Sequence, residues 1–290
     1  MTRALKKVLV TGATGFVGRH LVAALLAEGV AVRAVARRQA LARTMPWYDQ
    51  VEFIAVDVHD PALQVVSLAE GVDAIAHLAW PGLPNYQGLF HFEHNLMADY
   101  RFLKRIIEAG VRHVLVTGTC FEYGLQSGPL SEQHMAVPST AYGLAKHSLR
   151  LFLEALQRES PFTLQWARLF YLHGPGQAAN SLLASLDRAI DAGDEQFNMS
   201  AGEQLRDYLP IEQAAAHLVR LLGRPTFSGV INCCSGQPVS VRALVEQRVR
   251  QRQSTIALNL GYYPYSSHEP MAFWGTTELL RSVTGEWHDA

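Results

Sequence analysis

The sequence contains few cysteines and almost no net charge. Only three cysteines occur among 290 residues, Cys120, Cys233 and Cys234, and no CxxC pair or Cys/His metal spacing is present. This pattern argues against a disulfide framework and against a bound metal. The formal net charge of −1 leaves no electrostatic footprint for nucleic acid. We therefore expect neither a metal site nor a nucleic-acid partner.

Long apolar runs are also missing. No stretch is long enough to cross a bilayer. The N-terminal "MTRALKKVLVTG" has an apolar run too short for a signal-peptide core. We expect a cytoplasmic protein with no membrane partner.

Short apolar runs alternate with helical patterns along the first part of the chain. The runs at 7–12, 30–36, 51–56, 73–79, 112–119 and 162–170 are typical of buried strands. Helical periodicity follows at 16–29, Leu96–Ala109 and Tyr142–Glu159. The alternation predicts an α/β fold, a Rossmann-type doubly wound parallel sheet.

Glycine and proline become frequent after residue 170, with helices expected at 180–192, 211–223 and 240–250. We expect residues 1–170 to form a dinucleotide-binding domain. Residues 171–290 should mainly form a smaller C-terminal substrate-binding lobe, with the chain interleaved between the two.

A glycine-rich turn follows the first strand. "VTGATGFVG" places Gly12, Gly15 and Gly18 between a strand and a helix. In this context Gly12 makes the tight turn, Gly15 lets the backbone approach a pyrophosphate, and Gly18 allows close helix–strand packing. The helix N-terminus adds free N–H groups and a positive dipole end. The motif predicts dinucleotide binding.

The end of the second strand bears on the choice of dinucleotide. Ala36 stands where NAD-selective sites carry an acidic residue, and Arg37 and Arg38 follow it. Arginine suits a 2′-phosphate, so we favour NADP, with NAD as the alternative if the arginines are only solvated surface cations. Asp57 is either a ligand of the adenine amino group or a helix N-terminal Asp before Pro61.

Tyr142 and Lys146 in "STAYGLAKHSL" lie one helical turn apart on the same face. Such a pair is common by chance, as a surface lysine covering a half-buried tyrosine. It also suits a tyrosine whose pKa is lowered so that it exchanges a proton near neutral pH.

Taken together, these segments resemble the extended short-chain dehydrogenases/reductases, the family of nucleotide-sugar epimerases, dehydratases and keto-reductases. The resemblance spans most of the chain in family order. It is carried by "TGATGFVG" at 11–18, "HLA" at 77–79, Asn95, "TGTCFEYG" at 117–124, "YGLAK" at 142–146, "RLFYLHGPG" at 168–176 and "RDYLPIEQAAAHL" at 206–218.

The resemblance implies a catalytic set of Thr119, Tyr142 and Lys146. Tyr142 is then the acid/base, with its pKa lowered by Lys146 and by an oxidised nicotinamide. Lys146 also holds the nicotinamide ribose, and Thr119 hydrogen-bonds the reacting oxygen. The implied cofactor contacts further include Thr14, Phe16, Val17, Val58, Leu78, Ala79 and Asn95, although Asn95 also suits a plain helix N-cap.

Family dehydratases carry Asp-Glu directly after the Thr, whereas this chain has Cys120 and Phe121. Neither residue type serves as an acid or base for removing water, so dehydration is not expected. Glu122 comes next, and strand alternation points it away from Phe121.

On the substrate side, the resemblance implies that Arg206 binds a diphosphate. Asn180 contacts the nucleotide end or caps the following helix. Tyr171, in "RLFY", replaces the Asn with which epimerases contact the sugar, and we include it among the substrate-binding residues. The aromatic segment "GYYPYSSHEPMAFWG" at 261–275 either closes over the substrate or is ordinary packing.

Our leading hypothesis is an NADP-dependent reductase of a nucleotide-linked 4-keto-(6-deoxy)sugar, with Tyr142 as the general acid. The alternatives are an NAD-dependent nucleotide-sugar 4-epimerase and a non-catalytic dinucleotide sensor on the same fold. Intact Thr119, Tyr142 and Lys146 argue against a pure sensor, which does not need them.

The helices at Leu96–Ala109 and Tyr142–Glu159 have wider apolar arcs than a one-sided helix needs. On the first, the residues in surplus are Met97, Tyr100, Phe102, Leu103, Ile106 and Ile107. The arc of the second contains Leu144, Ala145, Leu149, Leu151, Phe152, Leu153, Ala155 and Leu156. We expect a homodimer through these helices, as the family resemblance also implies, unless another part of the chain covers them.

Overall fold

The computed structural model describes residues 5–266 and 269–285. In chain order, its strands are β1 (Lys7–Thr11), β2 (Ala31–Ala36), β3 (Glu52–Ala55), β4 (Ala74–His77), β5 (His113–Thr119), β6 (Gly128–Leu130), β7 (Thr163–Leu169), β8 (Tyr171–His173), β9 (Gln196–Asn198), β10 (Leu205–Pro210), β11 (Gly229–Cys233), β12 (Pro238–Ser240), β13 (Ala257–Asn259) and β14 (Phe273–Gly275). Its helices are α1 (Phe16–Ala27), α2 (Gln39–Ala42), α3 (Val66–Ala69), α4 (Leu96–Glu108), α5 (Ala141–Glu159), α6 (Leu182–Ala192), α7 (Ile211–Leu222), α8 (Val241–Gln251) and α9 (Glu278–Thr284).

Seven parallel strands form the central sheet, in the order β3-β2-β1-β4-β5-β7-β11. The order reverses next to β1, which pairs with β2 on one side and β4 on the other. A crevice forms outside the carboxyl ends of strands at such a reversal, and open α/β sheets bind ligands there. The structure confirms the predicted doubly wound sheet.

Each face of the sheet has its own apolar core. On one face, α3, α4 and α5 pack against the strands around Leu103, Ile106, Leu149 and Trp166. On the other face, α1, α7 and α9 pack around Leu21, Leu218 and Leu280. Burial on both faces explains why the strands are nearly continuous runs of aliphatic residues.

The smaller lobe is built from short strands and two helices. β12, β10 and β8 form a three-stranded sheet, and β13 pairs with β9. Helices α6 and α8 close over a small core that contains Leu186, Met199, Val241 and Val245. Between β10 and β12 the chain passes through the main domain, where α7 packs on α1 and β11 pairs with β7.

The sequence pattern missed several short elements. These are the three-residue strands of the lobe and a π-helical turn at His91–Asn95 that leads into α4. Within the described ranges, no helix is long and apolar enough to cross a membrane. The same residues contain no cluster of three or more His, Cys, Asp or Glu side chains that could hold a metal ion.

Candidate active site

A cleft of about 230 Å³ opens above the carboxyl ends of β1, β2 and β4. Nine of the predicted cofactor residues line it: Gly12, Thr14, Gly15, Arg37, Arg38, Asp57, Val58, Leu78 and Ala79. Helix α1 starts at this cleft with Gly15 as its N-cap, and no side chain caps it. Its first N–H groups are therefore available to an anionic ligand, as a pyrophosphate site requires.

The glycines of the turn are required by close backbone contacts. Gly12 has φ +67°, and a Cβ there would lie 2.8 Å from the Ala79 nitrogen. A Cβ on Gly18 would lie 2.1 Å from the Gly12 carbonyl oxygen. Both contacts are too short for any side chain, so the turn keeps its shape only with glycine. The cleft has the form and the donors that a nicotinamide dinucleotide needs.

The charged end of the cleft contains Arg37, Arg38 and Asp57. Arg37 is largely exposed, and its guanidinium lies 4.0 Å from the Asp57 carboxylate. Asp57 also accepts the backbone N–H of His59 at 3.0 Å, and no helix of the described chain begins at this position. The helix N-terminal interpretation of Asp57 was therefore wrong, and the carboxylate faces the cleft.

Five of the predicted cofactor residues do not line this cleft. Phe16 and Val17 pack against the cluster that contains Leu209 and Ile211, and Gly18 is buried inside α1. Asn95 is buried and donates from Nδ2 to the Pro81 carbonyl at 3.0 Å. Because its side chain does not cap α4, the N-cap alternative was wrong too.

Lys146, the fifth, lies with the other catalytic candidates beside the cleft. Thr119 ends β5, and Tyr142 and Lys146 lie in the first two turns of α5. All three are buried. Thr140 starts α5 by accepting the Gly143 N–H at 3.0 Å, which fixes the turn that holds Tyr142. The surface interpretation of the Tyr/Lys pair was therefore wrong.

The expected lowering of the Tyr142 pKa is not found. Burial raises the pKa of Tyr142 well above its ordinary value, and the nearby Thr119 side chain only partly opposes this. Four aromatic rings surround the phenol, from Trp80, Tyr86, His91 and Phe121. In such a dry site the charged phenolate is disfavoured, so the phenol keeps its proton at neutral pH.

Lys146 is almost completely buried. Its ammonium donates to the Thr117 carbonyl at 2.9 Å and lies 4.1 Å from the centre of the Trp80 ring. Burial lowers the pKa of Lys146 to about 8, while Asp99 and Glu122 act in the opposite direction. Because this pKa lies close to neutral pH, small changes around Lys146 alter the fraction of the lysine that is charged.

Glu122 lies in a 3₁₀ turn at Cys120–Tyr123 that follows β5, so the strand alternation assumed from the sequence does not apply to it. Its carboxylate is fully buried and accepts hydrogen bonds from Thr119 N at 3.0 Å, Trp166 Nε1 at 2.8 Å and Arg168 Nε at 2.9 Å. With these partners, Glu122 anchors the end of β5 and is not directed at a substrate.

A second cavity of about 550 Å³ lies in the small lobe. It brings together all three residues assigned to substrate alone, Tyr171, Asn180 and Arg206. Phe121 connects it to the catalytic residues, since its ring centre lies 6.4 Å from those of Tyr142 and Tyr171. Asn180 is exposed and does not cap α6, whose N-cap is Ser181.

Arg206 was expected to bind a diphosphate, but its guanidinium already has a carboxylate partner. It pairs with Glu269 at 2.9 Å, and the Tyr171 hydroxyl donates to the same carboxylate. Among the described residues that line this cavity, Arg206 and Glu269 are the charged ones. An incoming diphosphate would therefore compete with Glu269 for the guanidinium. Ser267 and His268 of the aromatic segment lie outside the described residues.

Some of the apolar residues that widen the arcs of α4 and α5 belong to the hydrophobic core. Four of the six residues named on α4, Phe102, Leu103, Ile106 and Ile107, are buried against the sheet. On α5, Leu144, Leu151 and Phe152 are each about 40% exposed (45%, 44% and 39%). Phe152 packs edge-on against Tyr100 of α4. The apolar surface shared by the two helices is real but smaller than expected.

The sequence analysis missed Trp80, Tyr86 and His91. They lie in the long connection from β4 to α4, residues 78–95. A long aromatic-rich loop after a parallel strand was the available signal. Glu269 was missed because its partners lie 63 and 98 residues away in sequence.

The chain is similar to known proteins over most of its length. Residues 8–234 match the model of the NAD dependent epimerase/dehydratase family. The chain is 29% identical to a dTDP-6-deoxy-L-talose 4-dehydrogenase (NAD(+)) of Aggregatibacter actinomycetemcomitans over 275 residues, 92% of this chain and 98% of that one. It is 28% identical to a dTDP-6-deoxy-L-talose 4-dehydrogenase (NAD(P)(+)) of Kitasatospora kifunensis, over 84% of this chain and 79% of that one.

Among solved structures, the chain is similar to MoeE5 in complex with UDP-glucuronic acid and NAD. The TM-score is 0.84 at 26% identity, over 98% of this chain and 94% of that one. The likeness therefore extends over the sheet and the small lobe together.

Proposed function

Because this chain belongs to the NAD dependent epimerase/dehydratase family, we propose that it is an NADP-dependent reductase of a nucleotide-linked 4-keto-6-deoxysugar. Membership makes it an NAD(P)-dependent enzyme of the extended short-chain dehydrogenase/reductase type. The observation that carries the finer assignment is the position of Tyr142, a buried phenol that Phe121 links to the substrate cavity.

A protonated phenol is the form that a reduction needs. The nicotinamide, when bound, supplies hydride to the sugar carbonyl carbon. Tyr142 donates its proton to the carbonyl oxygen as negative charge develops there. The Thr119 oxygen already accepts the Phe121 N–H at 3.2 Å, so its hydroxyl proton is free to point at the same oxygen. Lys146 adds positive charge next to both groups.

Dehydration is disfavoured by the residues next to Thr119. Burial raises the pKa of the Cys120 thiol well above its ordinary value, and Phe121 carries no proton. Glu122 is the nearest carboxylate in sequence, and its oxygens are occupied by Thr119, Trp166 and Arg168. No acid–base pair for removing water is therefore available from these three positions.

The small-lobe cavity suits a nucleotide-linked sugar. Arg206 offers a planar cation for a diphosphate, and the Phe121 ring packs edge-on between the rings of Tyr171 and Tyr142. An apolar wall of this kind fits a sugar that lacks its 6-hydroxyl. The names of the relatives from Aggregatibacter and Kitasatospora, both 6-deoxy-L-talose 4-dehydrogenases, support the same substrate class.

The preference for NADP rests on Arg37 and Arg38 at the ribose end of the cleft. Asp57 weakens this preference, because its carboxylate faces Arg37, and the relative from Aggregatibacter is named for NAD(+). NAD therefore stays as the alternative cofactor.

We further propose that the protein is a homodimer. The exposed side chains of Leu144, Leu151 and Phe152 line one side of α5, next to Tyr100 of α4. Contiguous exposed apolar surface on two adjacent helices suits pairing with the same surface of a second copy.

The test of function is turnover of a dTDP-4-keto-6-deoxyhexose with NADPH, followed at 340 nm. We expect one equivalent of NADPH to be consumed per sugar reduced. An epimerase would instead interconvert the 4-hydroxy sugars without net consumption of cofactor, and that result would overturn the reductase assignment.

The Tyr142→Phe variant tests the proposed proton donor. It removes the hydroxyl and little volume, so turnover should fall by roughly 10²-fold or more while cofactor binding persists. Tyr100→Phe is the matched control, because this partly buried tyrosine of α4 lines neither cavity, and it should leave turnover unchanged. Near-normal turnover in Tyr142→Phe would contradict the mechanism.

A further inference from the structure

Trp80 covers the buried ammonium of Lys146. The indole follows β4 at the inner end of the cofactor cleft, and Lys146 Nζ lies 4.1 Å from its ring centre. Of the three ammonium protons, one reaches the Thr117 carbonyl. Within residues 5–266 and 269–285, no carboxylate forms an ion pair with Lys146. The indole face and that carbonyl are thus two direct contacts that favour the charged form.

A buried cation without a carboxylate partner depends on such a contact. Burial by itself favours the neutral amine, and it lowers the pKa of Lys146 to about 8. The negative face of an indole attracts a cation, and the attraction is strongest where water is excluded. Asp99 on α4 and Glu122 after β5 act through space in the same direction, while His91 and Tyr142 pack nearby as neutral groups.

The indole is held in this orientation by His91. Trp80 Nε1 donates to His91 Nδ1 at 3.0 Å. Because Nδ1 accepts, the ring proton of neutral His91 is on Nε2, which donates to the Asn85 carbonyl at 2.6 Å. His91 is fully buried, and burial lowers its pKa, so the neutral form persists. The neighbouring Pro81 carbonyl is fixed in turn by Asn95.

We propose that Trp80, anchored by His91, is a positioning residue that keeps Lys146 charged and in place beside Tyr142. This inference rests on the acid–base role proposed for Tyr142 and Lys146. Trp80 acts on the reaction through Lys146, by setting the pH range over which the cation is present. This contact with Lys146 gives a reason for the bulky aromatic residue that follows the "HLA" segment at 77–79 and lines the cofactor cleft.

The chain suits a direct measurement, because it contains only four lysines, Lys6, Lys7, Lys104 and Lys146. Protein labelled with ¹³C at lysine Cε gives one NMR signal per lysine, and a pH titration then reports the pKa of Lys146 without any substrate. Trp80→Leu removes the ring face but keeps the surroundings apolar. The pKa of Lys146 should then fall by roughly one unit below its wild-type value.

Trp80→Phe is the matched variant, because it keeps a ring face and loses only the indole N–H. It should hold the pKa of Lys146 within about half the change seen in Trp80→Leu. Should Trp80→Leu fail to fold, His91→Leu keeps the indole but removes the acceptor that fixes its orientation, and a smaller fall in the same direction is expected. A pKa that is unchanged or raised in Trp80→Leu, or unchanged in His91→Leu, would overturn the proposal.

Kinetics supply the second readout. The alkaline limb of kcat/KM for reduction should move to lower pH in Trp80→Leu and return towards wild type in Trp80→Phe. A merely structural role would lower the rate at every pH without moving the limb. If the NMR shift is found but no keto-sugar is reduced, the proposed function fails while the Trp80–Lys146 contact stands.

Discussion

Replacing Glu122 by glutamine should destabilise the protein strongly, although the two side chains have nearly the same shape. The Oε1 atom accepts from Thr119 N and Trp166 Nε1, and Oε2 accepts from Arg168 Nε at 2.9 Å. A glutamine keeps one oxygen for the first two donors. Its amide NH₂ then faces the guanidinium of Arg168, so that a donor meets a donor and a buried charge loses its partner.

The magnitude follows from the burial of this pair, since both side chains are at most 2% exposed. Removing one partner of a buried, hydrogen-bonded ion pair costs about 3–5 kcal/mol. For a chain of this size, 1 kcal/mol lowers Tm by roughly 2–4 °C. We therefore expect Tm to fall by roughly 6–20 °C in Glu122→Gln.

Urea unfolding, followed by circular dichroism and tryptophan fluorescence, measures the free energy of unfolding directly. The matched control is Glu246→Gln, which breaks the exposed pair with Arg242 on α8 and should cost only about 0.3–0.5 kcal/mol. If Glu122→Gln were as stable as this control and yet inactive, Glu122 would be a catalytic acid and the anchoring role would be refuted.

Three further outcomes are expected. Arg37→Ala should raise the KM for NADPH by roughly 10-fold or more, the scale of a lost charge-assisted hydrogen bond, and the KM for NADH far less; equal changes for both would make Arg37 a bystander. Gly12→Ala should abolish NADPH binding in a fluorescence titration, because its Cβ would lie 2.8 Å from the Ala79 nitrogen, and unchanged binding would contradict the turn's role. Phe152→Lys should reduce the mass measured by light scattering from a dimer to about 32 kDa, whereas a wild-type protein already at that mass would disprove the dimer.

Local patterns in the sequence determined the sheet and the turn. A parallel strand that is covered on both faces is mostly apolar, so the aliphatic stretches of β1, β4 and β5 were visible in the sequence. The glycine turn was visible because its function depends on residues within one strand–turn–helix unit. Tyr142 and Lys146 lie one helical turn apart, so their common face was visible too.

Only the tertiary structure decided the electrostatics of the site. Tyr142 was expected to have a lowered pKa, but burial by rings from a distant loop raises it. Arg206 was expected to be open to phosphate, but Glu269 pairs with it across 63 residues of sequence. The desolvation of a group and the identity of its partner depend on which segments fold over it. Spacing along the chain identified the chemical groups, and packing between distant segments set their charge.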